Sequence, residues 1–196
     1  PLDLGHAPTD RPFLVNVPGR GFLLIEGAGP RSAEDFALAT AILRQVDGRL
    51  RGWMRRDAFT GPVQPILEVR SHIPMGLDRQ ALTELLSSRA DLRWTQMLEL
   101  PHSASIILAH EAIDRVRAEG GRTVPLVHLV MLEEGPSVQL LRIGEDDRIP
   151  AIVRLFDAVD ALGVNQVGAL HELLLTDPSR VPADRSRAII RLPIIH

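Results

Sequence analysis

The chain has 196 residues, 45% of them hydrophobic and 24% charged, which is typical of a globular protein with one domain or two small ones. It contains no cysteine, and this excludes disulfides, thiolate metal sites and a cysteine nucleophile. Its 22 basic residues are all arginine and are outnumbered by 25 acidic residues, so the net charge of −3 argues against direct nucleic-acid binding. The absence of lysine and tyrosine also excludes a Schiff-base lysine and a tyrosine acid.

The first half of the chain predicts four strands and two helices after a polar N-terminal arm, residues 1–12. A Pro-Gly turn separates two apolar runs, and a helical apolar stripe follows the next glycine-rich turn. The predicted elements are strands at 13–17 and 21–26, a helix at 32–51, a strand at 63–70, a short helix capped by Asp78 and a strand at 93–100.

The second half predicts two long helices and four strands. A β-branched run, a Glu-Glu-Gly-Pro turn and a second apolar run are typical of a β-hairpin. The predicted elements are a helix at 105–118, hairpin strands at 126–132 and 138–143, a helix at 149–162 and strands at 167–175 and 188–194.

The order of these elements repeats between residues 13–101 and 102–196. Each half offers a hairpin ending in a glycine, a long helix and two further strands. We therefore expect one α+β domain, built from two pseudo-twofold-related strand–helix–strand–strand modules with antiparallel sheets and helices packed on one side. The cleft between two such modules is a natural ligand site.

The apolar runs are too short to cross a membrane, because none approaches the roughly 20 residues that a spanning helix needs. The first apolar stretch is interrupted by Pro18 and Gly19 and lacks the form of a signal peptide. We therefore expect a cytoplasmic protein with no membrane partner.

Several segments, taken in order, resemble the GyrI-like small-molecule-binding domains. The resemblance covers about residues 11–193, and Trp94 fits the tryptophan that precedes a mid-chain proline in that family, here Pro101. The matching segments are residues 11–18, residues 22–30 (FLLIEGAGP), residues 138–144 (VQLLRIG, against the family's VQxLHIG), residues 171–178 (HELLLTDP, against HEIYLSDP) and residues 188–193 (AIIRLP, against TILRxP).

The resemblance implies two packed pseudo-twofold modules, in agreement with the repeat. Members of the family act as drug-binding effector domains of transcription regulators, as stand-alone binders of hydrophobic compounds, or as protein inhibitors of DNA gyrase. One branch hydrolyses the cyclopropane of DNA-alkylating natural products. Because the resemblance begins near residue 11, we do not expect this chain to be a complete regulator.

The chain departs from the family pattern at three places. Arg70-Ser71-His72 replaces paired tryptophans, Leu174 replaces a tyrosine, and Arg142 replaces a histidine. Hydrolytic members of the family use aromatic groups to stack the substrate, and tyrosine and glutamate to open its ring. These departures weigh against hydrolysis.

Glu172 is the foremost candidate site residue. Strand alternation places it on the same side as Leu170 and Leu174, and we expect these two leucines to line a ligand cavity with it. An acid among leucines is costly to bury unless it is paired or protonated. It therefore either points to solvent or faces a pocket, where it would hold a cationic ligand group or act as a general base with a raised pKa.

Glu68 is the counterpart of Glu172 in the first module. If both carboxylates faced one cleft, their proximity would drive their pKa values apart and let them divide the acid and base roles. The alternative is a surface acid that pairs with Arg70.

Trp94 and Trp53 either stack on an aromatic ligand or pack in the core. Arg142 either pairs with Glu172, binds an anionic ligand group or lies solvated at a strand end. His128 is expected in the core or as a hairpin partner. The histidine spacings match no metal motif, so we expect neither a metal nor a cofactor.

These observations favour a stand-alone domain that binds a hydrophobic or polycyclic small molecule between the modules, for drug sequestration or self-resistance. Two alternatives remain open. One is a cofactor-independent hydrolase that opens a strained ring such as a cyclopropane, with Glu172, alone or together with Glu68, as the catalytic group. The other is a protein inhibitor of DNA gyrase, which acts through a protein partner. The oligomeric state is left open.

Overall fold

A computed structural model describes residues 9–31, 33–54, 65–88, 92–121, 124–177 and 180–195. Of the arm, residues 1–8 lie outside the described residues, as do the proposed cap Ser32 and the start of the strand predicted at 63–70. The first half contains β1 (Phe13–Val17), β2 (Arg20–Ala28), α1 (Glu34–Met54), β3 (Leu67–Ser71), α2 (Arg79–Ser88) and β4 (Arg93–Glu99). The second half contains α3 (Ile106–Gly120), β5 (His128–Leu132), β6 (Gly135–Ile143), α4 (Arg148–Ala161), β7 (Asn165–Gln166), β8 (Leu170–Leu174), a short 3-10 helix (Ala183–Arg185) and β9 (Arg187–Ile195).

The elements follow the apolar periodicity closely. The stripe of α1 is buried from Ala39 to Met54, and α3 begins where the Ser105 side chain accepts a hydrogen bond from the Leu108 backbone N–H. Gly121 then ends α3 with a φ of 67°, a backbone conformation that favours glycine. The α+β class with helices on one side of an antiparallel sheet is confirmed.

The eight longer strands form one antiparallel sheet in the order β1-β6-β9-β8-β3-β4-β2-β5, and β7 pairs with the end of β9. Both predicted hairpins were wrong: β1 pairs with β6 and not with β2, and β5 pairs with β2 and not with β6. The predicted modules therefore exchange their first strands, and the exchange is symmetric about the β3–β8 junction. Local apolar patterns specify a strand but not its partner, and so the sequence could not reveal this pairing.

Two short links show how the sheet is shaped. Residues 18–19 join β1 to β2, and residues 133–134 join β5 to β6, although the strands of each pair lie far apart in the sheet order. Links this short span at most about 11 Å between their ends. The sheet must therefore curl until its two edges approach, and a Cβ built on Gly19 would lie 3.7 Å from the Glu133 Cβ.

The helices cover one face of the sheet in two separate apolar clusters. Helices α1 and α3 pack over β2, β3 and β4, with Leu43 and Leu98 fully buried among them. Helices α2 and α4 pack over β6, β8 and β9, with Leu155 and Ile190 fully buried. The junction of β3 with β8, which we call the seam, lies between the two clusters.

Candidate functional site

The seam places the two predicted acids on opposite faces of the sheet. Glu172 pairs with Val69 across the seam, whereas Glu68 pairs with Leu173. Because side chains alternate along a strand, Glu172 lies on the helix-covered face with Leu170 and Leu174, and Glu68 lies on the other face. The prediction that both carboxylates face one cleft was wrong. Glu172 is paired with Val69, the neighbour of Glu68, and so the two acids point to opposite faces of the sheet.

Glu172 is fully buried and bound by two arginines. Arg148, the first residue of α4, donates from Nε to Oε2 at 3.0 Å and from Nη2 to Oε1 at 2.7 Å. Arg31, from the loop before α1, donates from Nη1 to Oε2 at 3.4 Å and from Nη2 to Oε1. The cost of burial anticipated for this acid is thus met by charge pairing.

The pKa of Glu172 follows from these contacts. Burial alone would raise the pKa, but the charges and hydrogen bonds of Arg148 and Arg31 outweigh it and hold the pKa well below the ordinary 4.5. The prediction of a general base with a raised pKa was therefore wrong. Glu172 is thus a carboxylate that its two arginines hold in the ionised form near neutral pH.

The two arginines differ in how tightly they are held. The side chain of Arg148 is 7% exposed, whereas that of Arg31 is 26% exposed. The two residues come from equivalent places in the repeat, each at or just before the first turn of a long helix. Arg31 is thus the more exposed of the two arginines that bind Glu172.

An aromatic pair adjoins Arg31. The guanidinium carbon of Arg31 lies 6.0 Å from the Phe36 ring centroid, within reach of a cation–π contact. Phe36 in turn meets Trp94 edge to face, with centroids 5.0 Å apart. Trp94 is buried and lies across Gly27, where a Cβ would come within 2.3 Å of the indole carbons Cη2 and Cζ2. Only glycine leaves room for the indole in this position.

A groove of about 110 Å³ opens at the same seam, beside α1. Leu174 lines it and lies two residues beyond Glu172 on the same face, about 7 Å along the strand. At the rim, Arg44 Nη2 lies 3.6 Å from the Asp177 carboxylate. The residues that line the groove are Arg44, Pro65, Ile66, Leu67, Leu174, Leu175, Thr176 and Asp177.

The opposite face of the seam carries a second buried ionic cluster, centred on His171. Its Nδ1 lies 2.9 Å from Oε1 of Glu134, and its Nε2 lies 2.9 Å from Oε2 of Glu68, although this second contact is misaligned for a hydrogen bond. Arg191 Nη1 donates to Glu134 at 3.0 Å. Glu68 is therefore neither a surface acid nor the partner of Arg70.

These charges shift one another's pKa values. Burial lowers the pKa of His171, but Glu134 and Glu68 raise it above the ordinary 6.5 overall. Burial raises the pKa of Glu134, but His171 and Arg191 lower it to about 2. The cluster is enclosed, with every one of these side chains no more than 4% exposed, and so it acts on the fold rather than on solutes.

The other predicted site residues lie elsewhere, and Leu170 is fully buried in the apolar cluster of α2 and α4. Trp53 lines a separate groove of about 440 Å³ between α1 and α3, on the outer side of the helices. Arg142 does not pair with Glu172; its Nη1 donates to the Gly144 carbonyl at 2.7 Å and to Glu145 at 3.0 Å. His128 is exposed on the edge strand β5, so its predicted place in the core or in a hairpin was wrong.

The sequence did not identify Arg31, Arg148, His171, Glu134 or Arg191. An arginine beside a helix start and a glutamate in a turn are usually solvated, so neither stood out. The useful signal was the His171-Glu172 dipeptide inside an apolar strand, because neighbours in a strand face opposite sides and each polar group then needs its own partner.

The described residues contain no group of three or more histidine, aspartate or glutamate side chains placed to hold a metal ion. None of the helices in that part of the chain combines the length and apolar character needed to cross a membrane.

Comparisons with known proteins establish the fold. No protein-family model matches the chain, and no curated protein matches it. Among solved structures, an uncharacterized conserved protein from Listeria innocua is 23% identical over 96% of this chain and 94% of its own, with a TM-score of 0.79. A hydrolase from Listeria innocua is 21% identical over 97% and 95%, with a TM-score of 0.74. The EcmrR C-terminal domain is 10% identical over 94% and 97%, with a TM-score of 0.55. At these identities the likeness shows a shared fold.

Proposed function

We propose that the chain is a GyrI-like domain that binds a hydrophobic or polycyclic small molecule on the helix-covered face of the seam. The groove beside Leu174, the Phe36–Trp94 pair and Arg31 would form the binding surface. Such binding would serve drug sequestration or self-resistance. The observation that carries the proposal is the fully buried Glu172 carboxylate, which is bound by two arginines and lies two residues along the strand from Leu174, a residue that lines the groove.

This ionic cluster stabilises the fold less than well-packed apolar residues at the same positions would. Replacing a buried ionic group by apolar residues of similar volume is often neutral or stabilising by about 1–4 kcal/mol. The residues paired with Glu172 on either side, Val69 and Ile190, are apolar and fully buried. The presence of Glu172 and its two arginines at this point is therefore better explained by ligand recognition than by packing.

The chemistry of Glu172 favours binding over catalysis. A carboxylate whose pKa lies well below 4.5 is a weak base, and it holds no proton to donate near neutral pH. The shared fold with a Listeria hydrolase does not by itself assign hydrolysis to this chain. Hydrolysis is therefore treated as one outcome of the test.

A thermal-shift screen against polycyclic and DNA-alkylating natural products tests the proposal, with mass spectrometry of each hit after incubation. A bound ligand recovered unchanged supports binding, and the melting temperature should rise with ligand concentration. A product heavier by one water would replace binding by hydrolysis. No shift with any compound, together with inhibition of gyrase supercoiling, would replace it by the protein-inhibitor hypothesis.

A pair of matched variants locates the binding. Leu174→Phe fills the groove, so it should abolish the ligand-induced shift without lowering the melting temperature of the free protein by more than a few degrees. Leu38→Phe adds the same ring on an outward position of α1, where Leu38 is 41% exposed, and should leave the shift intact. Equal shifts in both variants would place the ligand elsewhere.

A further inference from the structure

We infer that the ligand carries an anionic group, as an aromatic carboxylate does, and that Arg31 binds this group. The inference rests on the proposed function and names the class of ligand. It departs from the expectation that Glu172 would hold a cation, because that acid is already bound by two arginines.

The charges around the site leave a positive excess. Arg31 and Arg148 face the one carboxylate of Glu172. The charge of Glu145 acts on both arginines, and Glu145 is itself paired with Arg142, whose Nη1 lies 3.0 Å from its Oε2. Three arginines thus stand against two acids, and one positive charge remains for a ligand to neutralise.

Arg148 alone satisfies Glu172. It makes two hydrogen bonds to the carboxylate, one to each oxygen, and its side chain is almost fully enclosed. Arg31 adds a second cation to an acid that is already neutralised. Its charge is the one that a ligand entering from solvent meets first, because it is the more exposed of the two arginines.

A cationic ligand gains little here. To reach Glu172 it must displace Arg31, which exchanges one cation for another, and the tethered arginine competes at a high effective concentration. An anionic ligand displaces nothing. It adds to the outer edge of Arg31 and brings the local charge to neutrality.

Hydrogen-bond donors also exceed acceptors at this place. A guanidinium has five N–H donors, and Arg31 directs two of its nitrogens to Glu172, so donors remain on its outer edge. A carboxylate bound by Arg31 would accept hydrogen bonds from these remaining donors, and Phe36 would lie against the aromatic part of the ligand.

Three matched probes test the inference: naphthoate, naphthamide and naphthylmethylammonium, all substituted at the same ring position. Isothermal titration calorimetry at neutral pH and low salt measures their affinities for the full chain. We expect naphthoate to bind about tenfold more tightly than the ammonium probe, with the amide between them. This ranking on the unaltered protein does not depend on the folding of any variant.

Variants then test the role of Arg31. Arg31→Gln should weaken naphthoate about tenfold and change naphthamide binding little, while Arg31→Lys should recover part of the loss because it keeps the charge. Arg49→Gln is the matched control, since Arg49 lies on the outer side of α1 and bonds Glu119. It should leave all three affinities unchanged.

The outcomes separate this inference from the function it rests on. If the ammonium probe or the amide binds as tightly as naphthoate, or if Arg31→Gln leaves naphthoate binding intact, the inference is overturned and the small-molecule site stands. If none of the three probes binds, both the inference and the proposal of an aromatic-ligand site are overturned.

Discussion

Glu172→Gln should destabilise the protein far more than Arg31→Ala, although both changes break the same ion pair. Removing the charge of Glu172 leaves Arg148 as a buried cation without a counterion, because its side chain is only 7% exposed. Breaking a buried pair in this way costs about 3–5 kcal/mol. Arg31→Ala leaves both Arg148 hydrogen bonds in place and removes a side chain that is 26% exposed, so it should cost about 1 kcal/mol.

Urea denaturation followed by far-ultraviolet circular dichroism measures both changes in the free energy of unfolding. The total stability of a domain is about 5–15 kcal/mol, so Glu172→Gln should remain folded in water with a much lower denaturation midpoint. The double variant should cost less than the sum of the two single changes, because the residues share one cluster. Equal losses for the two single variants would refute the claim that Arg148 alone satisfies Glu172.

Three further predictions concern the fold. Burial lowers the pKa of His171, but its two carboxylate neighbours raise this pKa above 6.5 overall. The protonated ring should therefore stabilise the fold fully below pH 6.5, and this stabilisation should be lost as the pH rises through the folded-state pKa. The urea denaturation midpoint should fall as the pH is raised, and this pH dependence should be absent in His171→Gln. The same pH dependence in that variant would contradict the prediction. Gly27→Ala should lower the free energy of unfolding by about 1–3 kcal/mol in thermal or urea denaturation, because the new Cβ meets the indole of Trp94. Adding Trp94→Phe should recover part of this loss. A Gly27→Ala variant of unchanged stability would refute the packing. Residues 13–101 and 102–196 should each fail to fold alone and should fold when co-expressed, because each half lacks a strand that the other supplies, and a cooperatively folded single half would contradict the exchange.

The sequence predicted individual elements well because their signals are local. The apolar stripe and its capping signals placed a helix at 149–162, and α4 spans Arg148–Ala161. Strand partners are a different matter. The apolar run at 126–132 fits a hairpin as well as it fits the observed pairing of β5 with β2, since the pattern specifies one buried face and not a neighbour.

The candidate site was predicted in part for the same reason. An acid within an apolar strand is visible in one sequence, and Glu172 could be singled out because its burial demands a partner. Its partners could not be named, because Arg31 and Arg148 lie 141 and 24 residues away along the chain. The side on which Glu68 lies depended on the register across the seam, which no local pattern fixes.

The most direct test of the account uses the two tryptophans of the chain, Trp53 and Trp94. Labelling tryptophan with nitrogen-15 gives each indole N–H its own NMR signal, and single Trp→Phe variants assign the two signals. Trp94 adjoins the proposed site, whereas Trp53 lines the outer groove between α1 and α3. Titration with an aromatic ligand should move the Trp94 signal to saturation and leave that of Trp53 in place. Movement of the Trp53 signal alone would contradict a ligand site at the seam.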